Sequence, residues 1–322
     1  MRYSLIIFSL LIILAGCGKE ETTEPKEEWQ WKIYKAGGGL AGNEIHTVMV
    51  DSRNRKWFGT DFGVSVYDGA SWTTYKTSDG LIYQKVLAIA EDNNGIMYFG
   101  TPFGVSRFDG INWVTYTEDD GLIDNYVYDI AVDQSNTRWF ATPEGAASYD
   151  GNAWEHYIKH SDTSIVYNHV RSVEVDNSNN VWFGTEFGLS QLKNNIWSSY
   201  ISDRGNTWNF ITDIDVHPTE NSIWMSTLGG IIKYHNNQYS YVTYSDGLAY
   251  NQVYGTAFKD GNVWVATQRG VSVYNGEKWE TYTDEDGLGA NWVTDVEIDQ
   301  DGVIWFATTP GGVTSLKINE TE

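Results

Sequence analysis

An aromatic residue recurs at nearly fixed intervals along the whole chain, and this constrains the fold more than any other feature. One series runs Trp57, Tyr98, Trp139, Trp182, Trp224, Trp264 and Trp305, at spacings of 40 to 43 residues. A second runs Trp31, Trp72, Trp113, Trp154, Trp197, Tyr239 and Trp279. A threonine follows the first series at Thr60, Thr101, Thr142, Thr185, Thr227, Thr267 and Thr308. Three residues later comes Gly63, Gly104, Gly145, Gly188, Gly230 and Gly270, with Gly312 one residue late. Seven copies of one unit define a repeat architecture, in which each unit buries its apolar face against its neighbours.

Each copy reads as four short strands. They are typified by Val127–Val132, Val181–Thr185, Gly63–Tyr67 and Trp72–Tyr75. β-branched and aromatic residues bounded by Gly, Asp and Asn favour strands, and no stretch has helical period. Asp68-Gly69, Asp109-Gly110, Asp150-Gly151 and Asn275-Gly276 separate the third and fourth strands. Such pairs accept positive φ and make tight antiparallel hairpins. Four-stranded antiparallel units at this period predict a β-propeller.

The chain ends settle how the ring closes. The seventh copy stops after Ser315-Leu316-Lys317, without a fourth strand. The segment Gln30-Trp31-Lys32-Ile33-Tyr34-Lys35 aligns with Ser71-Trp72-Thr73-Thr74-Tyr75-Lys76 and belongs to no copy of its own. The expectation is an all-β, seven-bladed propeller over residues 29–318, closed by the N-terminal strand completing the last blade, with 319–322 as a tail. Closure removes a sheet edge that would otherwise pair with other chains. The small residue before each threonine (Gly59, Gly100, Ala141, Gly184, Ser226, Ala266, Ala307) lets neighbouring sheets approach.

With these motifs assembled, the chain resembles the two-component regulator propeller repeat. The signature stands here as Asp120-Gly121-Leu122-Ile123-Asp124-Asn125-Tyr126-Val127, then Trp139-Phe140-Ala141-Thr142, and as Gly63-Val64-Ser65-Val66-Tyr67-Asp68-Gly69. The resemblance implies a sensor-type propeller outside the cytoplasm and a bias toward recognition, in a family many of whose members are associated with glycan use. The sequence shows no transmembrane helix after the ring, no kinase and no DNA-binding region. Recognition rather than signalling is therefore the expectation.

The N-terminus reads as an address. Arg2 precedes an apolar run from Leu5 to Leu14, too short to span a membrane. Leu14-Ala15-Gly16-Cys17 resembles the lipobox of bacterial lipoproteins, which implies cleavage before Cys17 and lipid on its thiol. Residues 18–28, GKEETTEPKEE, form a charged spacer. Their start resembles the surface-export signal of Bacteroidota lipoproteins. The expected location is the bacterial envelope, lipid-anchored to the outer membrane.

Composition narrows the partners. A net charge of -22 repels phosphate backbones, so nucleic acid is excluded. Membrane contact is expected through the Cys17 lipid only, and a closed ring is expected to be monomeric. Neither cofactor nor metal is expected. The single cysteine permits no internal disulfide. No Gly-x-Ser-x-Gly elbow, His-Glu-x-x-His pair or phosphate loop is present, so no enzymatic activity is expected. The alternatives are a lyase or glycosidase using a carboxylate pair, and a structural role in the envelope.

Function should lie in what the repeat does not repeat. Loops from each fourth strand into the next first strand share a face with loops between second and third strands. An amide column runs through the former: Asn43, Gln84, Asn125, Asn168, Asn209, Asn251 and Asn291. Because it repeats, it is read as a turn-stabilising bond. Around it stand Trp208, Trp292, Tyr83, Tyr126, Tyr128, Tyr167, Phe210, Tyr250 and Tyr254, with polar partners His46, Arg171 and Arg269. These twelve residues are the candidate contact patch for a glycan or an envelope protein. The competing reading is that the aromatics pack on one another. Acids on first strands (Asp129, Glu174, Asp213, Asp215, Asp295, Glu297) are expected to accept backbone or tyrosine hydrogen bonds or to be solvated, rather than to bind a cation. Turns such as Asp92-Asn93-Asn94-Gly95 read as hairpins rather than calcium loops, and His156, His160 and His169 do not have metal-ligand spacing.

Overall fold

The computed structural model describes residues 28–160 and 164–319. The signal segment, Cys17, most of the spacer and the last three residues lie outside them.

Seven separate four-stranded antiparallel sheets form the blades. Blade one holds Ile45–Val50, Lys56–Thr60, Gly63–Tyr67 and Trp72–Tyr75. Blades two to six follow over 88–116, 129–157, 170–200, 211–242 and 253–282. Blade seven takes Val293–Ile298, Ile304–Thr308 and Gly312–Asn319 from the C-terminus and Glu28–Tyr34 from the N-terminus. Glu28–Tyr34 pairs antiparallel with the last strand, with Trp31 opposite Leu316 and Tyr34 opposite Val313. The expected closure is present.

One departure is local. A single-turn helix at Asn206–Asn209 sits in the loop between blades four and five, where the sequence shows no helical period. A helix this short leaves no periodic stripe to read.

The repeated residues hold each blade to the next. Trp57 of blade one stacks on Tyr75 at 6.1 Å and meets Phe99 of blade two at 5.7 Å. Phe58 meets Trp305 of blade seven at 5.8 Å. Thr60 is fully buried and donates its hydroxyl to the Gly63 carbonyl at 2.9 Å while accepting the Phe62 N–H at 3.0 Å. All seven threonines make the first of these bonds. Gly63 has φ +125°, and a Cβ there would lie 2.3 Å from the Tyr75 carbonyl, so both conformation and space require glycine. At Gly59 a Cβ would lie 2.8 Å from the Val86 carbonyl, which bears out the reading of that column as an approach of neighbouring blades.

Two faces result. The upper face carries the loops between blades and the loops between second and third strands. The lower face carries the hairpins between first and second strands and the third-to-fourth turns. On the lower face, Asp51 accepts the backbone N–H groups of Arg53 and Arg55 and the Trp57 indole N–H at 2.8 Å. Asp133, Asp176 and Asp299 repeat this bond to Trp139, Trp182 and Trp305. The hairpins are also linked sideways: Asn93 donates its N–H to Asn136 Oδ1 at 2.8 Å, Gln134 to Asn179, Asn177 to Asn221, and Gln300 to Asn54.

Candidate functional site

The amide column does what a repeated residue should. The side-chain oxygens of Asn43, Asn125, Asn168, Asn209, Asn251 and Asn291 each accept a backbone N–H from an earlier residue of the same loop, at 2.6 to 3.0 Å. The column pins the upper loops flat and leaves contact to its neighbours.

Those neighbours fall into two groups. Trp208 packs inward on its own blade. It is half-buried, packs edge-on against Tyr241 at 5.2 Å, and lies over Gly229, where a Cβ would come within 2.9 Å of its ring. Gly229 stands at the position occupied by Phe62, Phe103 and Phe187 in other blades, so a small residue has made room for a large one. That exchange is the signal the sequence carried.

Most other aromatics pair and still keep a face outward. Tyr83 meets Phe103 at 4.4 Å, Tyr126 meets Tyr128 at 4.6 Å, Tyr167 meets Phe187 at 6.2 Å, and Tyr254 meets Trp292 at 6.2 Å. Trp292 remains 43% exposed and Phe103 56%. The Arg171 guanidinium lies 4.3 Å over Tyr128 and 5.5 Å from Phe210, and Arg269 lies 4.5 Å over Tyr250. Packing and exposure thus coexist on the rim.

The structure brings four of the candidates together at one place, the upper mouth of the central channel. His46, Tyr128, Arg171 and Tyr254 line a hollow of about 290 Å³ with Thr212 and Thr294. Its floor is Asp129, Asp213 and Asp295. Tyr83, Tyr126, Tyr167, Phe210, Tyr250, Arg269 and Trp292 are not among its lining residues.

Two polar clusters orient the wall. His46 Nε2 lies 2.8 Å from Asp61, and Lys85 lies 3.2 Å from the same carboxylate oxygen. Burial would raise the Asp61 carboxyl, but hydrogen bonds with Glu44, His46 and Lys85 prevail and hold it down to about 2. Burial lowers His46, so its ring is neutral near neutral pH and donates to Asp61. His169 Nε2 lies 3.0 Å from the Tyr128 hydroxyl and 3.4 Å from Glu186. Asp61 and Glu186 were missed by sequence reasoning. They occupy the turn after the threonine, where other blades carry residues of every class, so nothing marked them.

The floor acids fasten blades at the channel, where first strands face one another without sheet pairing. Asp129 accepts the Val173 N–H at 2.9 Å, Asp215 accepts the Thr256 N–H and hydroxyl at 2.8 Å each, and Asp295 accepts the Val48 N–H at 2.8 Å. Each bond crosses to the next blade, which agrees with the expectation of backbone acceptors. Gly255 leaves space between Asp213 and Asp295, whose oxygens lie 3.4 and 3.3 Å from where its Cβ would be. Burial, then mutual repulsion, pushes Asp213 well up. Burial likewise raises Asp215, Asp295 and Glu297 to about 7. Around neutral pH these carboxyls are part-protonated, and in its protonated form a carboxyl donates a hydrogen bond as well as accepting one.

The histidines go separate ways. His156 bonds the Gly121 carbonyl at 2.7 Å, while His169 bonds Tyr128. Among the described residues, no three His, Cys, Asp or Glu side chains converge as a metal site.

Residues 80–103 and 287–309 match the family described as two component regulator propeller. No curated protein sequence matches the chain. Among solved structures it is similar to the extracellular domain of a hybrid two component system from B. thetaiotaomicron, with TM-score 0.76, 22% identity, and coverage of 88% of this chain and 40% of that one. A second such extracellular domain from B. thetaiotaomicron gives TM-score 0.74 at 18% identity over 91% of this chain and 40% of that one. The chain thus spans about two fifths of their length. Virginiamycin B lyase from Staphylococcus aureus gives TM-score 0.73 at 12% identity, covering 91% of this chain and 100% of that one. At these identities the likeness establishes the fold. The chain is a seven-bladed propeller with two segments similar to the two component regulator propeller family, and no helix among its described residues is long and apolar enough to cross a membrane.

Proposed function

We propose that this propeller is a non-catalytic recognition module of the bacterial envelope, anchored by lipid on Cys17, that binds a glycan or a partner protein through its upper face. The hollow at the channel mouth carries the reading. Unrepeated residues from four blades converge there, with aromatic faces on Tyr128 and Tyr254, a donor on Arg171, the neutral ring of His46, and floor carboxyls held 2.8 to 2.9 Å from backbone donors. A concave site with few polar groups among aromatic faces, already packed before a guest arrives, suits recognition. The likeness to extracellular domains of two component systems supports a sensor-like role.

The test is retention of the full-length protein on immobilised glycans, with pull-down of envelope proteins in parallel. Arg171→Ala with Tyr254→Ala should reduce retention at least tenfold while the fold persists. Unchanged retention by that variant would remove the hollow from the site.

A catalytic reading keeps one support: protonated carboxyls and a histidine share the mouth, in a fold also used by a lyase. It requires product release with turnover, abolished by Asp213→Asn with affinity intact.

A further inference from the structure

Blade six breaks the lower-face pattern. In blades one, three, four and seven an aspartate six residues before the tryptophan takes its indole N–H. In blade six that position is Phe258, and the hairpin shrinks to the two-residue turn Asp260-Gly261, with Lys259 paired to Asn262. Two features meet there. The Trp264 indole N–H is buried, on a residue only 1% exposed, and has no hydrogen-bond partner. A groove of about 500 Å³ opens between blades six and seven, lined by Trp264, the shortened hairpin and Trp29 of the closing strand. The equivalent groove between blades three and four is lined by Trp139 and Asp133, and there the indole N–H is paired at 3.3 Å.

An unpaired buried N–H is destabilising, so a site that leaves one beside a groove favours whatever brings it an acceptor. In blades one, three, four, five and seven this N–H bonds a side chain of the lower hairpin, and in blade six the shortened hairpin supplies none. The charged lining is balanced. Lys278 pairs with Glu280 at 2.6 Å and Lys259 lies 3.7 Å from Asp260, so nothing there selects for charge. Asn262 adds an amide, and Trp29 adds an aromatic wall. Aromatic surface, an amide and a lone donor in a neutral groove match a ligand with an apolar ring face and hydroxyl oxygens.

We infer that the groove between blades six and seven is a second binding site, on the face opposite the channel mouth, for a neutral saccharide of one or two rings held against Trp29 with an oxygen on the Trp264 indole N–H. This site is independent of the upper-face reading and stands or falls apart from it.

The test is nuclear magnetic resonance of the full-length protein with labelled tryptophan, the Trp264 indole signal being assigned through Trp264→Phe. Maltose, cellobiose and N,N′-diacetylchitobiose are titrated separately to tens of millimolar. At least one should move the Trp264 signal saturably. Asn262→Ala should weaken that titration at least fivefold, and Arg171→Ala on the upper face should leave it unchanged. Failure of all three sugars to move the signal overturns the inference, as does a titration insensitive to Asn262→Ala. Loss through Arg171→Ala alone would return the effect to the upper face.

Discussion

The two faces of the ring are built from the same seven repeats and use them in opposite ways. Below, the hairpins between first and second strands repeat one device: an aspartate closing its own turn, capping a tryptophan, and a neighbouring asparagine taking a backbone N–H from the adjacent blade. Above, the loops share only the amide that flattens them, and the side chains around it differ from blade to blade. Repetition gives a rigid belt, and departure from it gives chemistry. The lesson holds within the lower face too, where the shortened hairpin of blade six goes with an unpaired indole donor beside a groove.

The carboxylates offer the strongest test. Asp215, Asp295 and Glu297 are raised to about 7 by burial first, whereas an unfolded carboxyl titrates near 4. The folded chain therefore binds more protons between about pH 4 and 7. The stability they contribute is fully present below about pH 4 and is lost as the pH rises through about 7. Urea unfolding should show stability falling by about 2 kcal/mol or more from pH 5 to pH 8. Asp295→Asn keeps an acceptor for the Val48 N–H and should flatten that slope; an unchanged slope would mean the channel acids do not titrate there.

Next comes the belt. Asp176→Ala orphans the Trp182 indole and two turn N–H groups and should cost about 2–3 kcal/mol. An effect below about 0.5 kcal/mol would deny the belt its role. Trp208→Ala separates packing from rim. Its ring fills the space over Gly229, so its loss should lower stability by about 2 kcal/mol. Trp292 is 43% exposed, and Trp292→Ala should change stability by no more than about 0.5 kcal/mol. Equal effects from these two substitutions would erase the distinction between the groups of rim aromatics.

Much of this was legible before any coordinates. The offset between the orphan segment Gln30–Lys35 and the truncated seventh copy specified the closure, and the pairing of Trp31 with Leu316 agrees with it. The amide column was legible because a side chain repeated in a loop serves the loop. The packing of Trp208 was not legible, because a surface loop hides whether a ring turns in or out, and the answer lay in a glycine some twenty residues away. The channel mouth was only half visible: His46, Tyr128, Arg171 and Tyr254 were named, but nothing short of three dimensions says which of twelve loop residues tilt toward the axis. Cys17 and its lipobox lie outside the described residues and stand on the sequence alone.

The latch at Glu28–Tyr34 has a mechanical meaning. Whatever tugs on the residues before Glu28 pulls directly on the strand that shuts the ring. Lead-in and clasp are one piece of chain, so such a load is felt first at the seam rather than within any other blade. Seven residue pairs share that load along the clasp, and the aromatic wall formed by Trp29 and Trp31 against Trp264, Tyr282 and Phe306 stands behind it.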